Sequence, residues 1–241
     1  MELKYFYKGF NYSQDGPGNR IVYHLQGCNM RCPWCSNPEG MVPGEESKTA
    51  SIDDIVNEIL SVRPMFFENG GVTFTGGEAT LQFSAIYEIM KRVKAEGVNT
   101  AIETNATSDR LVELMEVCDC FMTDYKTPLP QRCSGLGGNL EVIENNLRTI
   151  SQKTHIHIRI PLIHGFNDDK TSLEGFVNFF VSLTRDGCSF DVELLPYHEY
   201  GKEKWERLGK AYLMQNAFVT DSTLGHFKKA FEDNGVKLIN T

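Results

Sequence analysis

The chain has 241 residues, enough for one large domain with a sizeable core, and an ordinary globular composition of 41% hydrophobic and 23% charged residues. A net charge of -8 excludes nucleic-acid binding by general positive charge. No apolar run approaches the roughly 18 residues of a membrane helix, and Met1–Tyr5 lacks the apolar core of a signal peptide, so a cytoplasmic location is expected.

Residues 1–20 are polar and aromatic and end in Gln14-Asp15-Gly16-Pro17-Gly18-Asn19-Arg20. They read as a loop with strong turn chemistry leading into the first strand. Residues 21–26 read as that strand, and 36–50 as loop. Ser51 is placed to cap a helix whose apolar face is Ile52, Ile55, Val56, Ile59 and Leu60. A strand at Gly70–Thr75 runs into Gly76-Gly77-Glu78, and a helix is expected from Ala79 to Glu96, closed by Gly97. The pattern then predicts a strand at 99–103, a helix over 108–117, a strand at 119–124 and a helix over 139–151. Next come a strand at 155–161, a helix over 171–185 and a strand at 190–195. Residues 203–214 read as helical, and the chain closes with a helix over 222–233 and a short strand at 236–239.

Six strands alternating with helices make the class α/β with a parallel sheet. No linker or repeat divides the chain, so one domain over 1–241 is expected. Eight units would close a barrel. Six predict an incomplete (β/α)6 TIM-like barrel of parallel strands with a C-terminal helix–strand extension, although a flat doubly wound sheet fits the strand count too. Period-2 parity gives five of the strands one apolar and one more polar face. His24 and Gln26 lead in phase to Cys28. Glu103 leads to Asn105, Asp124 to Lys126, and His155 and His157 share a face with Arg159. The sixth strand departs from this, because Asp191 and Glu193 share parity with Leu195, and parity says nothing of His198.

Of seven cysteines, an odd number, Cys28, Cys32 and Cys35 lie at C-x3-C-x2-C spacing. This suits metal ligands with spare thiols in a reducing compartment better than a disulfide framework. Three thiolates can hold a four-iron cluster with one iron left open for chemistry. Structural zinc needs a fourth ligand, for which Cys118, Cys120, Cys133 or a histidine is available. A chance cluster of thiols is the third reading. Gly76-Gly77 lets a ligand approach the backbone closely, but an ordinary strand–helix turn has the same form. Glu103, Asp124, Lys126 and Arg159 at strand ends suit a zwitterionic ligand. His155, His157 and His226 show no pattern above that of ordinary polar side chains, and Phe176–Phe180 reads as a helix core face.

With these markers the chain resembles the radical S-adenosylmethionine (SAM) superfamily, and within it the activating enzymes of glycyl radical enzymes. The resemblance covers nearly the whole chain. It rests on Asp15-Gly16-Pro17-Gly18, Gln26 through Asn37, Gly70 through Ala79, Glu103-Thr104-Asn105, Asp124-Tyr125-Lys126, Arg159-Ile160-Pro161 and Leu195-Pro196-Tyr197-His198-Glu199. It implies that Cys28, Cys32 and Cys35 hold one [4Fe-4S] cluster that cleaves SAM, with removal of a hydrogen from a glycine of a partner glycyl radical enzyme. Trp34 and Ser36 would lie near the adenine, and Gly76, Gly77 and Glu78 near the methionine amine. Glu103 and Asp124 would serve the amine, the ribose and a monovalent cation. Lys126, Arg159 and His198 would serve the carboxylate and ribose, with Asn105 and Tyr125 beside them. Asp15 and Gly16 would meet the partner's glycine loop. A flavodoxin or ferredoxin electron donor and a monomeric state are further implications.

Glu103 stands where relatives often carry Asp. The 35 residues between Cys35 and Gly71 contain no cysteine, so no second cluster is expected. A radical SAM enzyme acting on a small molecule, of the 7-carboxy-7-deazaguanine synthase kind, shares the cysteines and fold. The Asp15 turn and the Leu195–His198 segment disfavour it. A non-enzymatic zinc or iron–sulfur module is disfavoured by the charged strand ends.

Overall fold

The computed structural model describes residues 1–44 and 47–240. By internal contacts the chain falls into two units. Residues 1–31, 37–104 and 108–122 form the first; residues 32–36, 105–107 and those from 123 onward form the second.

The first unit holds β1 (Glu2–Tyr12), β2 (Asn19–Leu25), β3 (Lys48–Ser51), α1 (Ile52–Ser61), β4 (Gly71–Gly76), α2 (Phe83–Ala95), β5 (Asn99–Thr104) and the start of β6 (Cys120–Asp124). Its strands run in the order β3-β1-β2-β4-β5. β2, β4 and β5 are parallel, and β1 is antiparallel to both neighbours. The expectation of a loop over the first 20 residues is therefore corrected: β1 is the longest strand. Leu3 and Tyr5 are buried between exposed Glu2 and Lys4, but a bulge between Tyr5 and Tyr7 buries Phe6 as well. That extra residue breaks the period-2 signal. β3 likewise lies within the expected 36–50 loop and runs to Ser51.

Ser51 caps α1 as expected, its hydroxyl accepting from Asp54 N at 3.1 Å, and Ile52, Ile55, Val56 and Ile59 are buried. Between β5 and β6 the expected helix is only a 3-10 turn, Leu111–Glu116. Leu111, Leu114 and Val117 are all buried, and a three-residue spacing aligns on one face at 3.0 residues per turn, not at 3.6.

The second unit holds the end of β6, then α3 (Pro130–Gly135), α4 (Leu140–Ser151), β7 (Ile156–Leu162), α5 (Lys170–Arg185), β8 (Phe190–Pro196), α6 (Lys202–Arg207), α7 (Asp221–Asp233) and β9 (Leu238–Ile239). β7, β8 and β9 are parallel neighbours. Asn139, Asp169 and Thr220 cap α4, α5 and α7 through their side chains. Phe176, Phe179 and Phe180 form the expected core face of α5. Tyr125 packs on Phe179 at 4.9 Å between ring centroids, and Phe180 meets Phe190 at 5.7 Å and Phe231 at 5.5 Å. The helix expected over 203–214 ends at Arg207, and Gly209 follows with φ +65°.

The α/β class with mostly parallel strands is as expected. β2, β4, β5, β6, β7 and β8 are the six anticipated strands, and α7 with β9 is the extension. β3 is an edge strand in the first unit and β9 in the second. The reading of β8 as an exception is corrected. Val192 and Leu194 fill its apolar face, while Asp191 and Glu193 lie in register with His157 and Arg159.

Candidate active site

Cys28 follows β2 in a loop held by backbone contacts. Gly27 N donates to Gly40 O at 2.7 Å, Glu78 N donates to Gly27 O at 2.7 Å, and Gly77 N donates to Leu25 O at 2.9 Å. Arg31 Nη1 donates to Cys28 O at 2.6 Å. The turn after β4 is thus laced to the segment that carries Cys28. A Cβ on Gly77 would sit 2.0 Å from Gly27 O, and Gly76 adopts φ +108°. On the side where a Cβ would stand, the space these glycines leave is filled by the chain's own backbone.

Glu78 is 1% exposed. Its Oε1 accepts from Thr80 N, Thr80 Oγ1 and Thr104 Oγ1 at 3.0, 2.6 and 2.7 Å. That oxygen fixes the start of the following turn. Thr75 Oγ1 donates to Glu103 Oε2 at 2.5 Å, orienting the carboxylate at the end of β5. Asp15 takes a hydrogen bond from Asn11 on its carboxylate, and Thr73 Oγ1 donates to its carbonyl at 2.6 Å. Gly16 beside it has φ +119°, open to glycine and costly for other residues.

In the second unit, Cys35 N donates to Cys32 O at 3.2 Å. Trp205 Nε1 donates to Cys35 O at 3.0 Å, and a Cβ on Gly201 would meet the same oxygen at 2.3 Å. The start of α6 therefore packs directly on Cys35 and Ser36. Trp34 packs on Phe166 at 4.6 Å between ring centroids. Sequence reasoning missed Gly201, Trp205 and Phe166. The one available signal was that Trp205 is one of two tryptophans in the chain.

Asn105 Oδ1 accepts from Thr107 N and Thr107 Oγ1, and Ala106 between them has φ +58°, a strained value for a non-glycine residue. Asp124 and Lys126 form an ion pair at 2.5 Å. Arg159 Nε donates to Glu193 Oε2 at 3.2 Å across β7 and β8, and Tyr125 N donates to Arg159 O at 2.8 Å. Lys126 and Arg159 thus each meet a carboxylate. Tyr125 itself alternates away from Asp124 and Lys126. Its ring is fully buried, and its hydroxyl donates to Glu144, whose own pKa is pushed up by burial. Tyr125→Phe should leave ligand binding unchanged and cost about 2 kcal/mol of stability, measured by denaturant unfolding beside SAM titration. His198 Nδ1 accepts from Tyr200 N at 3.3 Å, and its ring stacks on Tyr200. Burial lowers its pKa, which favours the neutral imidazole.

Three cysteine thiols are the donor type that a thiolate-held cluster takes. Cys28 and Cys35 are partly accessible and Cys32 is buried, and the Cys28 and Cys35 carbonyls are held by Arg31 and Trp205. Residues 22–174 match the radical SAM superfamily. This chain belongs to the radical SAM superfamily. The superfamily implies a [4Fe-4S] cluster and SAM, and it makes the chain an enzyme. The chain is similar to pyruvate formate-lyase-activating enzyme of Staphylococcus epidermidis, with 35% identity over 213 residues covering 84% of each chain. Pyruvate formate-lyase-activating enzyme of Staphylococcus aureus is 34% identical over 218 residues, 86% of each. A solved domain of pyruvate-formate lyase-activating enzyme from Bacteroides vulgatus covers 70% of this chain and 98% of its own length, with 28% identity and a TM-score of 0.57. QueE of Escherichia coli shares the fold at 14% identity, with a TM-score of 0.62 over 99% of this chain and 93% of that one. Among the described residues no helix is long and apolar enough to cross a membrane.

Proposed function

We propose that this radical SAM enzyme activates a glycyl radical enzyme, cleaving SAM reductively and removing a hydrogen from one backbone glycine of that partner. The observation that carries this reading is the 35% identity to a pyruvate formate-lyase-activating enzyme along 84% of both chains. Cys28, Cys32 and Cys35 hold the single cluster, and residues 1–241 act as one domain. When bound, the cluster supplies the electron that breaks the S–C5′ bond of SAM.

The rest is the work of the chain. The ion pairs Asp124–Lys126 and Arg159–Glu193 hold the two cations in fixed positions for the SAM carboxylate and ribose. Glu103, oriented by Thr75, takes the amine and borders a monovalent cation. Because Glu78 Oε1 is spent on three donors, the Gly76–Glu78 backbone serves the amine. Trp34 and Ser36 face the adenine, and neutral His198 serves the ribose. Asp15 and Gly16 meet the partner's glycine loop. The enzyme is a cytoplasmic monomer fed by flavodoxin or ferredoxin.

Anaerobic reduction with SAM and a candidate partner should give a glycyl radical signal by electron paramagnetic resonance. Cys32→Ala should abolish cluster assembly and SAM cleavage together. SAM cleavage with no radical on any glycyl radical enzyme, but turnover of a small molecule, would overturn the proposal in favour of the small-molecule reading.

A further inference from the structure

His155, His157 and Asp191 lie at the N-terminal ends of β7 and β8, with the Arg159–Glu193 pair two residues further along. His157 Nδ1 lies 2.6 Å from Asp191 Oδ1, and His155 Nε2 lies 3.0 Å from Asp191 Oδ2. One donor atom from each residue falls within 4.8 Å of the others. The Asp191 side chain is 4% exposed, while the two imidazoles are 35–40% exposed, so the cluster is anchored on the protein side and open on the other. The outer face of His155 is held too. Its Nδ1 lies 2.8 Å from Ser189 Oγ, which turns Nε2 toward the carboxylate. A second partner on the far ring nitrogen is the usual arrangement of a metal-ligating histidine.

We propose that these three side chains form a second metal site, for a borderline divalent ion of the zinc class. Two imidazoles and one carboxylate suit zinc, nickel or copper and do not suit calcium or magnesium. Zinc holds such donors at about 2.0–2.2 Å, which places neighbouring donors about 3.3 Å apart in a tetrahedron. Entry of the ion therefore requires the two imidazoles to part from the Asp191 oxygens they now meet, and one donor atom from each residue, already within 4.8 Å of the others, to draw to that spacing. Lys237 Nζ stands 3.6 Å from Asp191 Oδ2 on an exposed side chain beside β9. It supplies the positive charge that the ion replaces, and it swings into solvent on binding. Water fills the remaining coordination on the exposed side. The ion ties β7 to β8 two residues before the Arg159–Glu193 pair in register.

This inference does not depend on the proposed activity. The test is an anaerobic titration of the cluster-loaded full-length chain with zinc, followed by calorimetry and metal analysis, and repeated with Co²⁺ for its absorption spectrum. One zinc per chain beyond the cluster is expected, with a Co²⁺ spectrum that lacks sulfur-to-metal charge transfer. The same stoichiometry should persist when Cys28, Cys32 and Cys35 are all changed to Ser. His157→Ala should abolish binding. Ser189→Ala should weaken it about tenfold by releasing the His155 ring, and Lys237→Ala should tighten it. The last two substitutions leave all three ligands in place and shift affinity in opposite directions, so they decide the matter even if His157→Ala fails to fold. Zinc binding lost with the cysteines and kept in His157→Ala would overturn the site. So would a cluster-loaded chain that takes up no zinc, or affinity unmoved by both Ser189→Ala and Lys237→Ala.

Discussion

Gly77→Ala should cost the protein about 3 kcal/mol and most of its iron. The added methyl would lie 2.0 Å from Gly27 O and 2.8 Å from Gly40 O, separations that no side chain tolerates. Both neighbours are backbone, so no rotamer can yield, and the clash must move the chain. Overpacking of this kind typically costs 1–3 kcal/mol, and here it also pushes on the Glu78 N to Gly27 O bond. Gly27 immediately precedes Cys28, so the displacement reaches the proposed cluster ligand directly. The expected result is a lower denaturation midpoint and iron content well below four per chain after reconstitution. Gly225→Ala is the control. It lies exposed in α7 with nothing within 4 Å of its added Cβ, and it should stabilise by up to about 1 kcal/mol through helix propensity. A Gly77→Ala chain with full iron and an unchanged midpoint would refute this account of the turn.

The parts of the fold that follow from local chemistry were readable from the chain alone. Ser51 announces its helix because capping involves residues two or three apart. The parity of Glu103, Asp124 and Arg159 is legible because strand alternation is local. What escaped depends on distant partners. β1 pairs with β2 through a bulge, and the bulge erases the alternation that would have revealed it. Asp191 and Glu193 looked misplaced because Leu195 shares their parity; their role emerges only when β8 is set in register beside His157 and Arg159. Trp205 reaches the Cys35 carbonyl across 170 positions of sequence, and no spacing rule connects such residues. The same holds for the glycines after β4. A Gly-Gly pair reads equally as room for a ligand or as room for backbone, and only the position of Gly27 shows that backbone takes the Cβ side of Gly77.

The Asp15 turn poses a sharper question, because its geometry is set by a side chain that no resemblance singles out. Arg20 is fully buried, and the partners of its guanidinium are backbone carbonyls and a hydroxyl. Nε donates to Thr73 Oγ1 at 2.8 Å, Nη1 to Pro17 O at 2.8 Å, and Nη2 to Val72 O and Asn99 O at 2.9 and 3.3 Å. Thr73 Oγ1 passes the link on, donating to Asp15 O at 2.6 Å. One planar fork thus ties the turn to β4 and β5. Burial lowers the Arg20 pKa, yet arginine stays charged in proteins. Arg20→Lys keeps the charge but cannot reach all of these acceptors with one ammonium. Leaving buried carbonyls without donors should cost at least about 3 kcal/mol. Thr73→Val is the finer probe. It keeps shape and removes the hydroxyl between Arg20 and Asp15, freeing the turn while leaving the cysteines and the SAM residues untouched. On the proposed function, that variant should bind SAM normally and cleave it at close to the wild-type rate. Glycyl radical formation on the partner should fall at least tenfold, chiefly through a higher KM for the protein substrate. Parallel loss of SAM cleavage and partner activation in Thr73→Val would show that the turn supports the whole fold and does not position the partner's loop.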